Sequence, residues 1–157
     1  MFPANILVPT KIVSREARVT DNQTIDIYHR TDEATLAILP NKPEQTGKPR
    51  LFTALQFGMF CLLADLMQSE VKGPLAAKIA RRVMEAHQRD ATIEQWVITV
   101  LDNGNVSTLP YDATELRTGY ISGGRLAFAL VIDLRLYAER VERAIANAPR
   151  VIGGDDE

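Results

Sequence analysis

Residues 11–53 read KIVSREARVTDNQTIDIYHRTDEATLAILPNKPEQTGKPRLFT, and they carry the clearest structural pattern in the chain. Thr10, just before this stretch, is a good N-cap residue for a short helix. The apolar residues that fall near one face of this helix are Ile12, Val13 and Ala17. Val19-Thr20-Asp21 then interrupts the pattern. The segment therefore begins with a short packed helix that ends at a tight turn.

A second helix is predicted over Asn22–Arg30, with Thr20 or Asp21 as its N-cap. Ile25 and Tyr28 share one face of this helix, which we expect to be the packed face. The polar side chains left for solvent or a ligand are Asn22, Gln23, Asp26 and Arg30. The two helices and the turn between them predict a helix-turn-helix.

The second helix of such a motif enters the DNA major groove with its N-terminal residues, where exposed amides meet adenine edges. The candidates for base contact are Asn22, Gln23 and Thr24. The same residue types are also common in turns and first helical turns, which is the alternative interpretation. Tyr28 either contacts a phosphate through its hydroxyl or is a core ring with a solvated tip, and its spacing from Ile25 favours the core.

The rest of the stretch predicts a basic hairpin. Thr35–Leu39 is β-prone, Pro40–Pro49 is rich in turn-forming residues, and Arg50-Leu51-Phe52 resumes an apolar run. Lys42 and Lys48 lie in the long turn between the two predicted strands. A basic hairpin after a helix-turn-helix indicates a winged helix-turn-helix over residues 1–52, in which the hairpin tip contacts phosphate.

The cations of this segment are the second set of candidate DNA-binding residues. They are Arg15, Arg18, Arg30, Lys42, Lys48 and Arg50. Each one alone is typical of a solvated protein surface, but as a set around a helix-turn-helix they favour phosphate contact.

Two short motifs resemble the DNA-binding domain of MerR-like winged-helix regulators. Thr24-Ile25-Asp26-Ile27-Tyr28-His29-Arg30 lies where that family usually has a Thr-Leu-Arg-Tyr-Tyr run, and Phe52-Thr53 lies where a Phe-Thr pair commonly leads from the wing into the next helix. The resemblance covers the first third to half of the chain. It implies a DNA-binding transcriptional regulator.

The chain departs from that family at two points. Asp26 stands where the family usually has a DNA-contacting Arg, and the usual Gly after the second helix is absent. A carboxylate that faces phosphate is repelled unless it is paired or turned away. Recognition of DNA therefore depends on where the side chain of Asp26 points.

Residues 53–90 predict a helical pair. Thr53-Ala54-Leu55-Gln56 is a capping-box pattern that opens an apolar helix to Gln68, and Lys72-Gly73-Pro74 separates it from a second helix. Leu75, Ile79 and Val83 repeat every four residues in that second helix, with small alanines between them. Alanine at such spacing permits close helix approach, so the pair is either part of the core or a dimer seam.

Residues 91–157 predict a small module of strands and a final helix. Trp96–Leu101 and Val106–Leu109 flank Asp102-Asn103-Gly104-Asn105, which is a strong hairpin signal. Arg125–Ile132 is a further strand, Asp133 caps the last helix, and Gly153–Glu157 is an acidic tail. The apolar face of that helix includes Leu136 and Tyr137, which leaves Arg135, Arg140 and Arg143 mainly outside. The whole chain is therefore predicted to be an α+β protein.

The composition excludes some classes of function. The 157 residues carry a net charge of −2, which argues against an indiscriminate nucleic-acid coat. Residues 1–90 hold 12 Lys and Arg against 10 Asp and Glu, and the remainder hold 6 against 10, so any DNA contact depends on a local face of the N-terminal part. The absence of a signal-peptide pattern and of an apolar run long enough for a bilayer indicates a cytoplasmic protein without a membrane partner.

No catalytic motif is present: there is no glycine-rich phosphate loop, nucleophile elbow or paired metal-binding histidine motif. We therefore expect neither an enzyme nor a cofactor. Cys61 lies in an apolar helix, where it is expected to be a buried small hydrophobe. His29 and His87 have no metal-ligand spacing around them and are predicted to be surface residues, so no metal site is expected.

The leading hypothesis is a homodimeric, sequence-specific regulator that binds double-stranded DNA. Two-fold pairing of the chain places the heads on inverted half-sites separated by one or more helical turns of roughly 34 Å. The alternative is a protein-interaction or ligand-sensing module, in which residues 91–157 bind a protein partner or a small-molecule effector without direct contact with DNA.

Overall fold

The structure is a computed structural model that describes residues 1–111 and 116–148. The acidic tail predicted for residues 153–157 lies outside these ranges. In chain order the elements are β1 (Leu7–Pro9), α1 (Thr10–Glu16), α2 (Asp21–Tyr28), α3 (Glu33–Ile38), β2 (Leu51–Thr53), α4 (Ala54–Gln68), α5 (Gly73–Arg89), β3 (Gln95–Leu101), β4 (Val106–Pro110), β5 (Tyr120–Ile121), β6 (Gly124–Asp133) and α6 (Leu134–Asn147). This mixture of helices and antiparallel strands confirms the α+β class.

Helix α4 lies at the centre of the molecule. It begins with the predicted capping box. The backbone N–H of Gln56 donates to Thr53 Oγ1 over 3.2 Å, and the backbone N–H of Thr53 donates to Gln56 Oε1 over 3.0 Å. Helices α1, α3, α5 and α6 all pack against it. Ile79 and Val83 of α5 are completely buried within the same core. The central helical pair is therefore core, and the apolar stripe of α5 is not available as a dimer seam.

A four-stranded antiparallel sheet in the order β4-β3-β6-β5 covers the helices on one side. The predicted β3–β4 hairpin is confirmed, and Gly104 takes a φ of +81° in its turn, a conformation that glycine adopts without a Cβ clash. Trp96, Ile98 and Ile132 belong to the buried core that the sheet shares with the helices. Asp133 caps α6 as predicted, because its carboxylate accepts the backbone N–H of Arg135 over 3.0 Å.

The predicted strand at Thr35–Leu39 is wrong, because this segment belongs to helix α3. The Asp32 carboxylate accepts the Thr35 backbone N–H over 3.0 Å and the Thr35 hydroxyl over 2.7 Å, which caps the helix. Ala34, Thr35 and Ile38 are then buried, and α3 packs against α5. An N-cap and burial on a helical period outweigh the weak β-propensity of this segment.

The strand that pairs with β2 is β1, which the sequence pattern did not reveal. Val8 lies opposite Phe52 in an antiparallel register, and both side chains are buried. Residues 39–50, which we call the basic loop, therefore connect α3 to β2 without forming a hairpin of their own. The position predicted for the wing is occupied by this loop.

His87 is buried, whereas the sequence interpretation placed it on the surface. It follows Val83 by one helical turn of α5, and so it falls on the stripe that faces the core. Its ring meets the ring of Phe2 edge to face, with the centroids 5.4 Å apart. Burial lowers the pKa of His87, and the nearby N-terminal ammonium group lowers it further.

None of the helices within residues 1–111 and 116–148 has the length and apolar character needed to cross a membrane.

Candidate nucleic-acid interface

Helices α1 and α2 are joined by a tight turn whose geometry is fixed by hydrogen bonds. Arg18 adopts a φ of +58° in the turn, and its carbonyl accepts a hydrogen bond from Gln68 Nε2 over 3.2 Å. Thr20 then opens α2 with a capping box: its hydroxyl accepts the Gln23 N–H over 3.2 Å, and Gln23 Oε1 accepts the Thr20 N–H over 2.8 Å. The predicted cap at Thr20 is confirmed.

The three residues predicted to contact bases lie in different environments. Thr24 is only 5% exposed, and its hydroxyl bonds both to Ser14 Oγ over 2.9 Å and to the Thr20 carbonyl over 3.0 Å. It therefore holds α1 against α2 and does not face solvent. Gln23 is exposed, but its Oε1 is occupied in the capping box, so it lacks the free amide pair that adenine requires. Asn22 is exposed on the first turn of α2.

The exposed face of α2 differs from the predicted face. Ile27 is buried and Ile25 is 48% exposed, so the expected packing of Ile25 in the core is wrong. Thr24 and Ile27 face α1 and the core together, because they are three residues apart. The exposed residues with helical spacing, which we call the α2 stripe, are Asn22, Ile25, Asp26 and His29.

Tyr28 connects the end of α2 to α1 and to the end of the basic loop. Its hydroxyl lies 2.7 Å from the Thr10 hydroxyl, and the Arg50 guanidinium lies over its ring, 4.1 Å from the centroid. Thr10 in turn donates its backbone N–H to the Arg50 carbonyl over 3.2 Å. Burial raises the pKa of Tyr28, although the Thr10 hydrogen bond and the charge of Arg50 partly offset that effect. The half-buried Tyr28 ring therefore positions Arg50 beside the C-terminal end of α2.

Most cations of the N-terminal part are exposed and have no acidic partner. Within residues 1–111 and 116–148, no carboxylate lies within ion-pair distance of the following exposed side chains: Lys11, Arg15, Arg18, Lys42 and Lys48. On α5 and α6, by contrast, Arg81, Arg135 and Arg140 form ion pairs. Among the described residues, α1, the turn after it and the basic loop therefore carry five exposed cations without an acidic partner.

Arg30, another predicted phosphate-binding residue, does have an acidic partner. Its Nε lies 3.0 Å from Asp32 Oδ1, and its side chain is only 19% exposed. The guanidinium also lies directly against the backbone of Gly73, where a Cβ atom would collide with it. Arg30 therefore links α2 to α3 and α5, and it does not add a free charge to the interface.

A groove of about 770 Å³ lies between α2, the C-terminal half of α4 and the start of α5. Ile27, Ala64 and Met67 contribute to its apolar lining, and Asp26 and Arg30 contribute charged groups. The volume falls within the range of about 300–1,000 Å³ that is typical of small-molecule sites. The groove touches α2, the helix that carries the exposed stripe.

Arg140, which we expected on the outside of α6, is buried at the C-terminal end of α1. Its Nη2 donates to the Glu16 carbonyl over 2.9 Å, and its Nη1 lies 2.7 Å from Asp65 Oδ2. The Tyr137 hydroxyl donates to the same Asp65 oxygen over 3.1 Å. A cation at a helix C-terminus satisfies the last carbonyl groups and interacts favourably with the helix dipole. This network fixes α1 to α4 and α6.

Comparison with models of protein families finds no match to this chain, and comparison with curated proteins finds no significant match.

Proposed function

We propose that this protein is a sequence-specific, double-stranded DNA-binding regulator, similar in its N-terminal part to MerR-like winged-helix proteins. The observation that carries the proposal is the exposed α2 stripe on a helix whose buried side contacts α1 and the basic loop, two elements whose exposed cations have no acidic partners in the described part of the chain. Both elements contact α2, through Ser14 and through Arg50. An exposed helix face with unpaired cations on the neighbouring elements suits a base-reading helix with phosphate contacts beside it.

In this proposal the α2 stripe lies in the major groove. The amide of Asn22 pairs with an adenine edge, Ile25 contacts a thymine methyl group, and the Asp26 carboxylate accepts from a cytosine amino group. In this proposal Asp26 faces base edges together with Asn22 and Ile25, at the border between the stripe and the groove that Asp26 also lines. The stripe therefore gives Asp26 a function that a phosphate-facing carboxylate lacks.

The cations supply the affinity in this proposal. Each phosphate that a Lys or Arg neutralises contributes about −0.9 to the slope of log K against log salt on double-stranded DNA. Lys11, Arg15, Arg18, Lys42 and Lys48 thus give a slope of at most about −4.5 for one protomer. Because the net charge of the chain is −2, attraction to DNA depends on where these five cations lie on the surface.

The test is a salt titration of binding to a labelled duplex of mixed sequence, followed by fluorescence anisotropy. We expect the double variant Lys42→Ala and Lys48→Ala to lower the magnitude of the salt slope by about 1.8. The matched control is Lys72→Ala with Lys78→Ala, which removes the same charge from exposed positions on or beside α5. Equal slopes for the two double variants would show that the basic loop does not contact DNA.

Regulators of this kind act as homodimers on inverted repeats, and we include this in the proposal. A two-fold axis presents two α2 stripes to half-sites separated by a multiple of roughly 34 Å. Asn22→Ala is expected to change the preferred base at one position in each half-site, whereas Lys48→Ala weakens binding to all sequences alike.

Effector sensing is the second candidate function, and the groove beside α2 favours it. A small amphipathic molecule in the groove would contact Ile27 of α2 and Met67 of α4 at once. Met67 is 37% exposed, so Met67→Trp fills the groove without replacing a core residue. A molecule that raises the Tm of the natural protein and not that of Met67→Trp identifies a groove ligand, whereas equal shifts in both proteins place its site elsewhere.

A further inference from the structure

A cleft of about 450 Å³ lies between the turn after α1, the C-terminal end of α4 and helix α6. Three arginines line it, Arg18 from the turn and both Arg140 and Arg143 from α6, and we call it the arginine cleft. Gln68 lines both this cleft and the groove beside α2. The arginine cleft therefore borders the surface that carries α2.

The charges around the arginine cleft do not cancel. Arg140 contacts both neighbouring carboxylates, because its Nη1 lies 2.7 Å from Asp65 Oδ2 and its Nε lies 3.4 Å from Glu16 Oε1. Arg143 lies 3.5 Å from the same Glu16 oxygen. Arg18 has no acidic partner among the residues that the structure describes. Three guanidinium groups therefore face two carboxylates, which leaves a net charge of +1.

The buried guanidinium of Arg140 has more hydrogen-bond donors than acceptors. A guanidinium carries five N–H groups. Three of those of Arg140 are used, by the Asp65 carboxylate, the Glu16 carboxylate and the Glu16 carbonyl. The side chain is only 10% exposed, so its other two N–H groups are costly to leave without an acceptor, and none of the described residues accepts from them. An oxyanion in the arginine cleft supplies such an acceptor.

The two exposed arginines of the cleft are carried by elements that are fixed to each other. The Gln68 side chain donates to the Arg18 carbonyl over 3.2 Å, which holds the turn after α1 against α4. The hydrogen bond of 2.9 Å from Arg140 to the Glu16 carbonyl holds α6 against the end of α1. Arg143 follows Arg140 by three residues and so lies on the same face of α6. Its side chain is 65% exposed, which leaves its guanidinium accessible to a ligand.

We propose that the arginine cleft binds a phosphate group between Arg18 and Arg143, with Arg140 as a further donor. Guanidinium groups bind phosphate and carboxylate oxygens through paired hydrogen bonds. A phosphate has oxygens in several directions, whereas a carboxylate has two in one plane. Arginines that approach from two different elements therefore suit phosphate better. The Asp65 carboxylate also lines the cleft, but its charge is paired with Arg140.

The phosphate belongs to the DNA backbone in the proposed function, and only this choice of source rests on that function. Arg18 lies two residues before Thr20, the N-cap of α2, and Asn22 lies in the first turn of that helix. A DNA strand that Asn22 reads thus brings a backbone phosphate beside the arginine cleft. Arg143 of the last helix then joins the N-terminal cations as a phosphate contact. The other source of the same chemistry is a free phosphate compound.

The first test uses inorganic phosphate without DNA. The arginine Nε–H signals of the full chain are followed by NMR while phosphate replaces chloride at constant ionic strength. We expect the Arg18 and Arg143 signals to shift with one dissociation constant, and Arg143→Gln to weaken the binding seen at Arg18 about tenfold. Arg82→Gln is the matched control, because Arg82 is 57% exposed and lies 3.6 Å from Glu85, and it should leave phosphate binding unchanged. Shifts at Arg18 no larger than those at Arg82, or equal weakening by the two variants, would overturn the proposal.

The second test identifies the source of the phosphate through binding to labelled duplex DNA at one salt concentration. We expect Arg143→Gln to weaken binding about tenfold on all sequences alike, and Arg82→Gln to have a much smaller effect. If Arg143→Gln loses the phosphate response but keeps its affinity for the duplex, the cleft binds a free phosphate compound and the DNA assignment is wrong. A natural protein that responds to phosphate but binds no duplex would refute the proposed function and support the phosphate site.

Discussion

Replacing Arg140 with Met removes the group that fixes the end of α1, the first helix of the proposed DNA-binding head, to α4 and α6. The substitution keeps most of the side-chain length but deletes the guanidinium. It thereby removes the 2.7 Å contact with Asp65, the 2.9 Å hydrogen bond to the Glu16 carbonyl and the longer, 3.4 Å contact with Glu16 Oε1. The Asp65 carboxylate then keeps only the Tyr137 hydroxyl as a hydrogen-bond donor among the described residues.

The expected loss of stability follows from these contacts. Hydrogen bonds to charged groups contribute about 1.5–3 kcal/mol each, so the two short ones alone correspond to a loss of roughly 3–6 kcal/mol. The Arg140 side chain is only 10% exposed, whereas Asp65 is 33% exposed and recovers part of its hydration. We therefore expect the free energy of unfolding to fall by about 2–4 kcal/mol, which is a large part of the stability of a typical domain.

The assay is urea unfolding followed by the fluorescence of Trp96, which is the single tryptophan and is 4% exposed. Arg143→Met is the matched control, because Arg143 also lies on α6 and contacts Glu16 at 3.5 Å but is 65% exposed. An exposed ion pair contributes at most about 1 kcal/mol, so this control is expected to change little. Equal losses for the two variants, or a loss below about 1 kcal/mol for Arg140→Met, would refute this account of how α1 is held.

Three further predictions concern single groups. The hydrogen bonds from Arg135 lower the pKa of Asp133 to about 2. Ionised Asp133 therefore stabilises the fold fully above its ordinary pKa of about 4, and this stabilisation is lost as the pH falls towards 2. Asp133→Asn should flatten the decline of unfolding free energy over that acidic range, and an unchanged decline would contradict this. The buried Cys61 thiol, with its pKa raised to about 12, should resist iodoacetamide until urea unfolds the chain, so rapid labelling of the native protein would be the contrary result. Thr24→Val should cost about 1–2 kcal/mol in urea unfolding because it removes the buried bond to Ser14, while Thr24→Ser should cost less; the reverse order would show that the hydroxyl is not structural.

Local sequence signals predicted the elements that have strong caps or turns. Thr53 and Gln56 identified the start of α4, and Asn103-Gly104 identified the β3–β4 hairpin. Asp133 likewise identified the start of α6. In each case the decisive interaction lies within a few residues of the chain, so tertiary packing does not alter it.

Elements that depend on packing were not predicted. The segment at Thr35 carries β-branched and apolar residues, but the Asp32 cap and burial against α5 make it helical. Strand β1 pairs with a partner more than forty residues away, Val8 opposite Phe52, and no local pattern indicates that pairing. The N-terminal Phe2 packs against His87, and this long-range contact adds to the burial of His87 on the core-facing stripe of α5.

The candidate DNA-binding surface was predicted only in part, because local signals determine some of its features and packing determines the others. The position of α2 and its cap at Thr20 followed from the sequence. The exposed face did not, because Ile25 and Ile27 are both suitable core residues and only packing against α1 decides between them. Thr24 and Ile27 are three residues apart, and this spacing is the signal that indicates the buried face of α2.

The most direct test of the proposed function is to select bound sequences from a randomised duplex-DNA pool at near-physiological salt and to sequence them. We expect the natural protein to enrich an inverted repeat whose half-sites are separated by one or more helical turns. Asn22→Ala should enrich a repeat that differs at one position in each half-site. Retention of DNA without an enriched sequence, or no retention, would contradict the claim that α2 reads bases.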